Sequence, residues 1–123
     1  MVEKRGFLYS PRGKMRTLHI YLPRGYDGSS ERYPVMYFFD GQNLYQDWDA
    51  TYGTSWGLEE FLDGWGKGMI VVGMECSHEG NDRLDEYSPY SFSMGHWGYV
   101  RGIGKQTMDW IAHEVKPFID VNY

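Results

Sequence analysis

Cysteine is nearly absent. Cys76 is the only one in 123 residues, so no disulfide framework braces the chain, and a reducing compartment is the simpler setting. No apolar run approaches the roughly 20 residues needed to cross a bilayer. The opening stretch MVEKRGFLYSPRGK lacks the apolar core of a secretory leader. These absences predict a cytoplasmic protein with no membrane partner. Internal repeats, low-complexity tracts and interdomain linkers are missing too, so residues 1–123 read as one domain. No HExxH or comparable spacing joins the histidines to acids. A cluster of His78, Glu79, Asp82 and Asp85 is therefore not read as a metal site, and no cofactor is expected.

Charge of one sign is scarce in places. Residues 1–26 hold six basic residues (Lys4, Arg5, Arg12, Lys14, Arg16, Arg24) against the single acid Glu3, although the whole chain carries a net charge of −5. These bases are spread over strand-like and turn segments, which reads as a solvated strand face and not as a nucleic-acid surface. Aromatic residues are plentiful at 18%, with eleven Tyr and five Trp. They suit a dense core or an aromatic-lined cleft, and Trp48, Trp56 and Trp97 are candidates for either.

The hydrophobic pattern orders the chain. RGFLYS and MRTLHIYLP read as two strands joined by PRGK, with Pro11 and Gly13 supplying the turn. PVMYFF (34–39) and GMIVVGME (68–75) are continuously apolar and predict strands covered on both faces, as in a parallel sheet. Between them Leu58, Phe61, Leu62 and Trp65 recur at helical spacing, closed by Gly64 and Gly66. Strand, helix, strand is a βαβ unit. The long polar segment 76–104 reads as a functional loop or lid. In the last segment Met108, Ile111, Ala112, Val115, Phe118 and Ile119 fall on one helical stripe, with Pro117 bending or restarting the helix. His19 falls in a strand and His113 on the polar face of that last helix.

GTSWG (53–57) matches the G-x-S-x-G of serine hydrolases. A nucleophile elbow requires a buried strand running into the first glycine, whereas Gly53 follows the polar NLYQDWDATY. Ser55 or Thr54 instead suits the N-cap of the helix that follows, where Glu59 and Glu60 favour the positive end. Ser55 is therefore read as a decoy.

RTLHIYLPRGYDGSSERYPVMYFFDGQNLY, YGTSWGLEEFL, MIVVGME, NDRLDEYSPY and WIAHEVKPFIDVNY, in that order, resemble the putative esterase family of α/β-hydrolases, which includes enterochelin-esterase-like, feruloyl and acetyl xylan esterases. The resemblance runs from about Arg16 to Tyr123. It implies an α/β fold: an incomplete three-layer αβα hydrolase with an N-terminal β-hairpin followed by β-α-β-α. In such enzymes the segment after KPFID-x-x-Y leads into the nucleophile strand, and the acid and histidine come later. Residues 1–123 are thus expected to form the N-terminal half of a serine carboxylic-ester hydrolase, stopping before its nucleophile and silent alone.

The resemblance also assigns a site. DGQN follows a buried strand where this fold supplies one backbone N–H of the oxyanion hole, which gives the role to Gln42, with Gly41 letting the backbone turn and Asp40 and Asn43 at the rim. The alternative is an ordinary strand-ending turn closed by an Asp40 side-chain hydrogen bond. Arg83, Glu86 and Tyr87, with Trp97, are implied to shape the active-site mouth, through an Arg–Glu pair or merely as a solvated ion pair. The complete enzyme would act on a small or carbohydrate-linked ester. Two rival functions stay open: a noncatalytic carbohydrate-binding or interaction module, and one subunit of a split esterase. An unprotected edge at PVMYFF would favour self-association or a complementing C-terminal half.

Overall fold

The computed structural model describes residues 1–123, the side chain of Trp97 excepted. The chain divides into two compact units: Met1–Phe7 with Met15–Cys76, and Leu8–Lys14 with Ser77–Tyr123.

The first unit is built on a mixed sheet. Strands β1 (Val2–Tyr9), β2 (Lys14–Tyr21), β3 (Val35–Phe39) and β4 (Ile70–Met74) lie in the order β1-β2-β4-β3. β4 runs antiparallel to β2 and parallel to β3. Its residues alternate between the two faces of the sheet, and every one of them is buried. That is why its sequence is apolar without alternation.

β3 is the unprotected edge expected at PVMYFF, but it is not covered on both faces. It ends the strand order with β4 as its neighbour, and Met36 and Phe39 remain 45% and 43% exposed. An apolar run therefore stands at an edge, because burial depends on neighbours that hydropathy does not count.

Helix α1 (Leu58–Trp65) links β3 to β4 and stops at Gly66, whose φ of 75° is left-handed and suits a residue without Cβ. Half of its predicted apolar stripe faces inward. Leu62 joins Tyr21, Leu44, Tyr45 and Val71 in the core, with Leu58 packed against them. Phe61 and Trp65 stay outside, stacked on each other at 6.2 Å.

Two basic residues of this unit are paired with acids. Lys4 Nζ donates to Asp49 at 2.5 Å, and the Arg24 guanidinium lies 3.9 Å from Asp63.

In the second unit, the expected polar loop contains a short helix, α2 (Asp82–Tyr87), and a two-residue ribbon of β5 (Phe92–Ser93) and β6 (Tyr99–Val100). Asp82, Asp85 and Glu86 fall at i, i+3 and i+4 on α2, one face of a helix. Arg12 meets all three: its two terminal nitrogens lie 2.7 Å from Asp82 and 3.0 Å from Asp85, and Nε lies 3.5 Å from the buried Glu86. Burial opposes the charge on Arg12, but hydrogen bonds to Asp85 and Asp82 outweigh it and raise the pKa further.

Helices α3 (Gly104–Trp110) and α4 (Lys116–Asn122) are joined by a π-helical turn at Ile111–Val115. The buried positions are Thr107, Trp110, Val115 and Ile119. The step from Trp110 to Val115 is one residue longer than an α-turn allows, and the π turn absorbs it. Hence Met108 and Ala112, expected on the inner stripe, are exposed, while Val115 and Ile119 are inside as expected. Pro117 explains the position of the wide turn, since it cannot donate to the carbonyl four residues back and its ring crowds that group. The Thr107 hydroxyl lies 2.6 Å from the Tyr9 hydroxyl, and Trp110 donates to the Leu8 carbonyl at 2.8 Å.

Arg12→Ala should lower unfolding free energy by about 1–3 kcal/mol, because a buried carboxylate loses a charged partner. Arg12→Lys should recover less than half of that, lacking the planar fork. Urea unfolding of the three proteins measures both.

Candidate functional site

The turn after β3 has a constrained backbone. Asp40 sits at φ 55° and ψ 47°, the one non-glycine residue with positive φ among those described. Aspartate tolerates this region better than most residues, at a cost of about 1 kcal/mol. Gly41, Gln42 and Asn43 then form a single 3-10 turn, in which Asn43 N–H donates to the Asp40 carbonyl at 2.9 Å and Leu44 N–H to that of Gly41 at 3.3 Å. The bond closing the turn is thus backbone to backbone, and the Asp40 side chain does not cap it.

Gly41 is required by proximity. A Cβ built on it would stand 2.3 Å from the carbonyl carbon of Gly73, and one built on Gly73 would stand 2.7 Å from the Gly41 Cα. The turn therefore rests directly on the backbone of β4, a contact open only to two facing glycines.

Gln42 is buried, 3% exposed. Its amide nitrogen donates to Thr51 Oγ1 at 3.1 Å and to Cys76 Sγ at 3.1 Å, while its oxygen accepts the Cys76 N–H at 3.4 Å. Both carboxamide protons are engaged within the protein. The side chain thus anchors the turn.

Asn43 extends the same brace: its side-chain oxygen accepts from Thr51 N–H at 2.9 Å and its carbonyl from Trp56 N–H at 2.9 Å. The loop 44–57 so held carries Trp48, Tyr52 and Trp56 at 79%, 94% and 68% exposure. Trp48 and Trp56 are therefore surface residues and not core.

Ser55 is occupied as a loop residue. Its hydroxyl donates to the Tyr45 carbonyl at 3.1 Å and accepts from Gly57 N–H at 3.1 Å. The N-cap position of α1 belongs to Gly57, which corrects the expected Ser55 or Thr54 cap; the hydroxyl closes a tight turn just before the helix.

His19 is buried in β2 with Nε2 2.8 Å from Glu75 Oε2. Burial pushes the Tyr45 phenol well above its ordinary pKa, and Tyr21 rises for the same reason, reinforced by its hydrogen bond to Asp63. Neither phenol is a base near neutral pH. Among the described residues no group of three or more His, Cys, Asp or Glu is arranged to hold a metal ion. No helix there is long and apolar enough to cross a membrane.

Arg83, Glu86 and Tyr87 belong to the second unit, on α2. Arg83 lies over the Tyr87 ring at 5.0 Å, and Arg12 lies 3.5 Å from Glu86 as an ion-pair partner. Trp97 closes the 3-10 turn Gly95–Trp97, and its side chain lies outside the described residues.

A family model described as "Putative esterase" matches residues 11–123. The chain belongs to this esterase family. No curated protein matches it. Among solved structures, an IroE-like serine hydrolase from Shewanella oneidensis superposes with a TM-score of 0.74 at 20% identity, over 98% of this chain and 38% of that one. The BES protein from Bacillus cereus gives 0.71 at 20% identity, over 99% and 46%. The enterobactin esterase FES from Shigella flexneri gives 0.64 at 12% identity, over 98% and 26%. These likenesses establish an α/β-hydrolase-type fold for this esterase-family chain, which spans less than half the length of each of the three.

Thr51, Gly73 and Cys76 were missed as partners of the turn. Gly73, a lone glycine inside an apolar strand run, was the one legible signal, since it marks a close backbone approach.

Gly41→Ala and Gly73→Ala should each destabilise by about 2 kcal/mol or more, because backbone must move to admit a methyl group. Gly64→Ala, in α1 with a Cβ that meets nothing within 4 Å, is the control in the same denaturation series and should be neutral to stabilising by up to about 1 kcal/mol.

Proposed function

We propose that this chain supplies the N-terminal part of a single serine carboxylic-ester hydrolase domain, an incomplete three-layer αβα fold. Its chemical contribution is one oxyanion-hole donor, the backbone N–H of Gln42. The observation that carries this reading is the left-handed Asp40 followed by a turn seated on Gly73. A strained, over-determined turn at the end of an apolar strand is the kind of feature that persists where the backbone must present a group at a fixed point.

In the proposed reaction a serine hydroxyl, its proton taken by a histidine, attacks the ester carbonyl. The carbonyl oxygen becomes an oxyanion, and the Gln42 N–H donates to it as charge develops. Collapse releases the alcohol, protonated by that histidine, and leaves an acyl-enzyme that water hydrolyses. Serine, histidine and acid come from polypeptide other than residues 1–123, and these residues alone are silent. The complementing part would add to the sheet beside β3. Gly41, Asp40 and Asn43 shape the turn, while Arg83, Glu86, Tyr87 and Trp97 are carried as proposed rim residues.

The exposed Trp48, Tyr52 and Trp56 favour an ester on a ring-bearing molecule, small or carbohydrate-linked. They also motivate a second reading, a noncatalytic carbohydrate-binding module, which saturable oligosaccharide binding without ester turnover would favour. A cytoplasmic setting without metal, cofactor or nucleic-acid partner completes the proposal.

The 123-residue chain should hydrolyse p-nitrophenyl acetate no faster than the buffer blank and resist labelling by a fluorophosphonate. Adding the nucleophile-bearing part of the polypeptide should restore both. Labelling at Ser55, or turnover abolished by Ser55→Ala, would sink the reading.

A further inference from the structure

We infer that Thr51 and Cys76 are positioning residues for the Gln42 backbone N–H, acting through the buried Gln42 carboxamide as a latch. The inference rests on the esterase reading above and adds to it the residues that fix the donor.

An oxyanion-hole donor works only if its direction is set before charge develops, since reorganising during the reaction forfeits the gain. Backbone geometry alone leaves the Gln42 turn weakly held, because a single 3-10 turn supplies few hydrogen bonds of poor geometry. The glycine contact with β4 sets how closely the turn approaches, but steric contact resists only inward motion. The carboxamide resists the others. Its oxygen is tied to the Cys76 N–H, just past the end of β4, and its nitrogen to Cys76 Sγ and to Thr51 Oγ1 on the neighbouring loop. Three bonds in two directions, one of them to backbone, define the orientation of the side chain and hence of the residue that carries it.

The latch has a second consequence. Thr51 is joined to the turn twice, through Gln42 and through Asn43, and its next neighbour is Tyr52, the most exposed of the loop aromatics. A displacement of the aromatic loop is therefore transmitted to the donor, so contacts made there by the remote part of a substrate bear on the alignment of the N–H. Binding energy gained away from the reacting bond can in this way be used in the transition state.

The test is 15N relaxation of the 123-residue chain. The Gln42 amide should show an order parameter of about 0.85, as for rigid backbone. Thr51→Val, at an exposed site that tolerates the change, should drop the amides of residues 41–43 toward about 0.6 while those of Ile70–Met74 stay rigid. Thr51→Ser should restore them. Cys76→Val should act in the same sense, and Cys76→Ser should not; if Cys76→Val does not fold, the Thr51 pair decides alone.

In the completed polypeptide, Thr51→Val should lower kcat roughly tenfold or more with KM little changed, and Thr51→Ser should recover it. A Gln42 amide that is mobile in the native chain, or equally rigid in Thr51→Val, overturns the inference. Failure of the esterase reading is seen separately, as absent turnover in a completed polypeptide whose Gln42 amide is rigid.

Discussion

Two glycines in contact, Gly41 on the turn and Gly73 in β4, are the constraint on which the rest of the first unit depends. The parallel register places Phe38 beside Gly73 and Phe39 beside Met74, so the chain leaves β3 one residue beyond the one position in β4 that has no side chain. The backbone then folds back over it. Asp40 accepts a left-handed conformation to make that reversal, and the residues that follow inherit their places from it. This is a steric arrangement before it is a hydrogen-bonded one: the carboxamide of Gln42 reaches Cys76 because the glycines let the turn come close.

The second unit is organised by charge. Arg12, at the tip of the hairpin, collects three carboxylates from one face of α2, one of them buried. A guanidinium suits this because its donors diverge in a plane and stay protonated under all ordinary conditions. α2 has only six residues, too few to be stable from helix propensity alone. Arg12 supplies what the backbone lacks, and Tyr9 and Leu8 tie the same tip to Thr107 and Trp110. The basic excess at the N-terminus is thus largely explained as ion-pair partners for acids far along the chain.

Much of this order was legible in advance. The hairpin, the β3-α1-β4 succession and the terminal helix follow from patterns of two and of 3.6, which report local geometry faithfully. What escaped depended on partners distant in sequence. The edge position of β3 was legible through the family resemblance, while the apolar run alone reads as covered on both faces because hydropathy does not count neighbours. Arg12 reads as a surface base because its acids lie about seventy positions away. In the candidate site, the turn at DGQN was legible from the strand that ends there. Cys76, remarked only for being alone, gave no hint that its sulfur and its amide both meet Gln42.

The wide turn at Ile111–Val115 behaves as an extra residue spliced into a helix. It lets Trp110 and Val115 face the same way across a gap that regular winding would have given to Glu114. Removing one residue from this stretch would return the segment to uniform winding with Trp110 and the residues after it still aligned inward. The inner face of the segment is therefore read correctly only if the extra residue is placed at this turn and not spread along the helix.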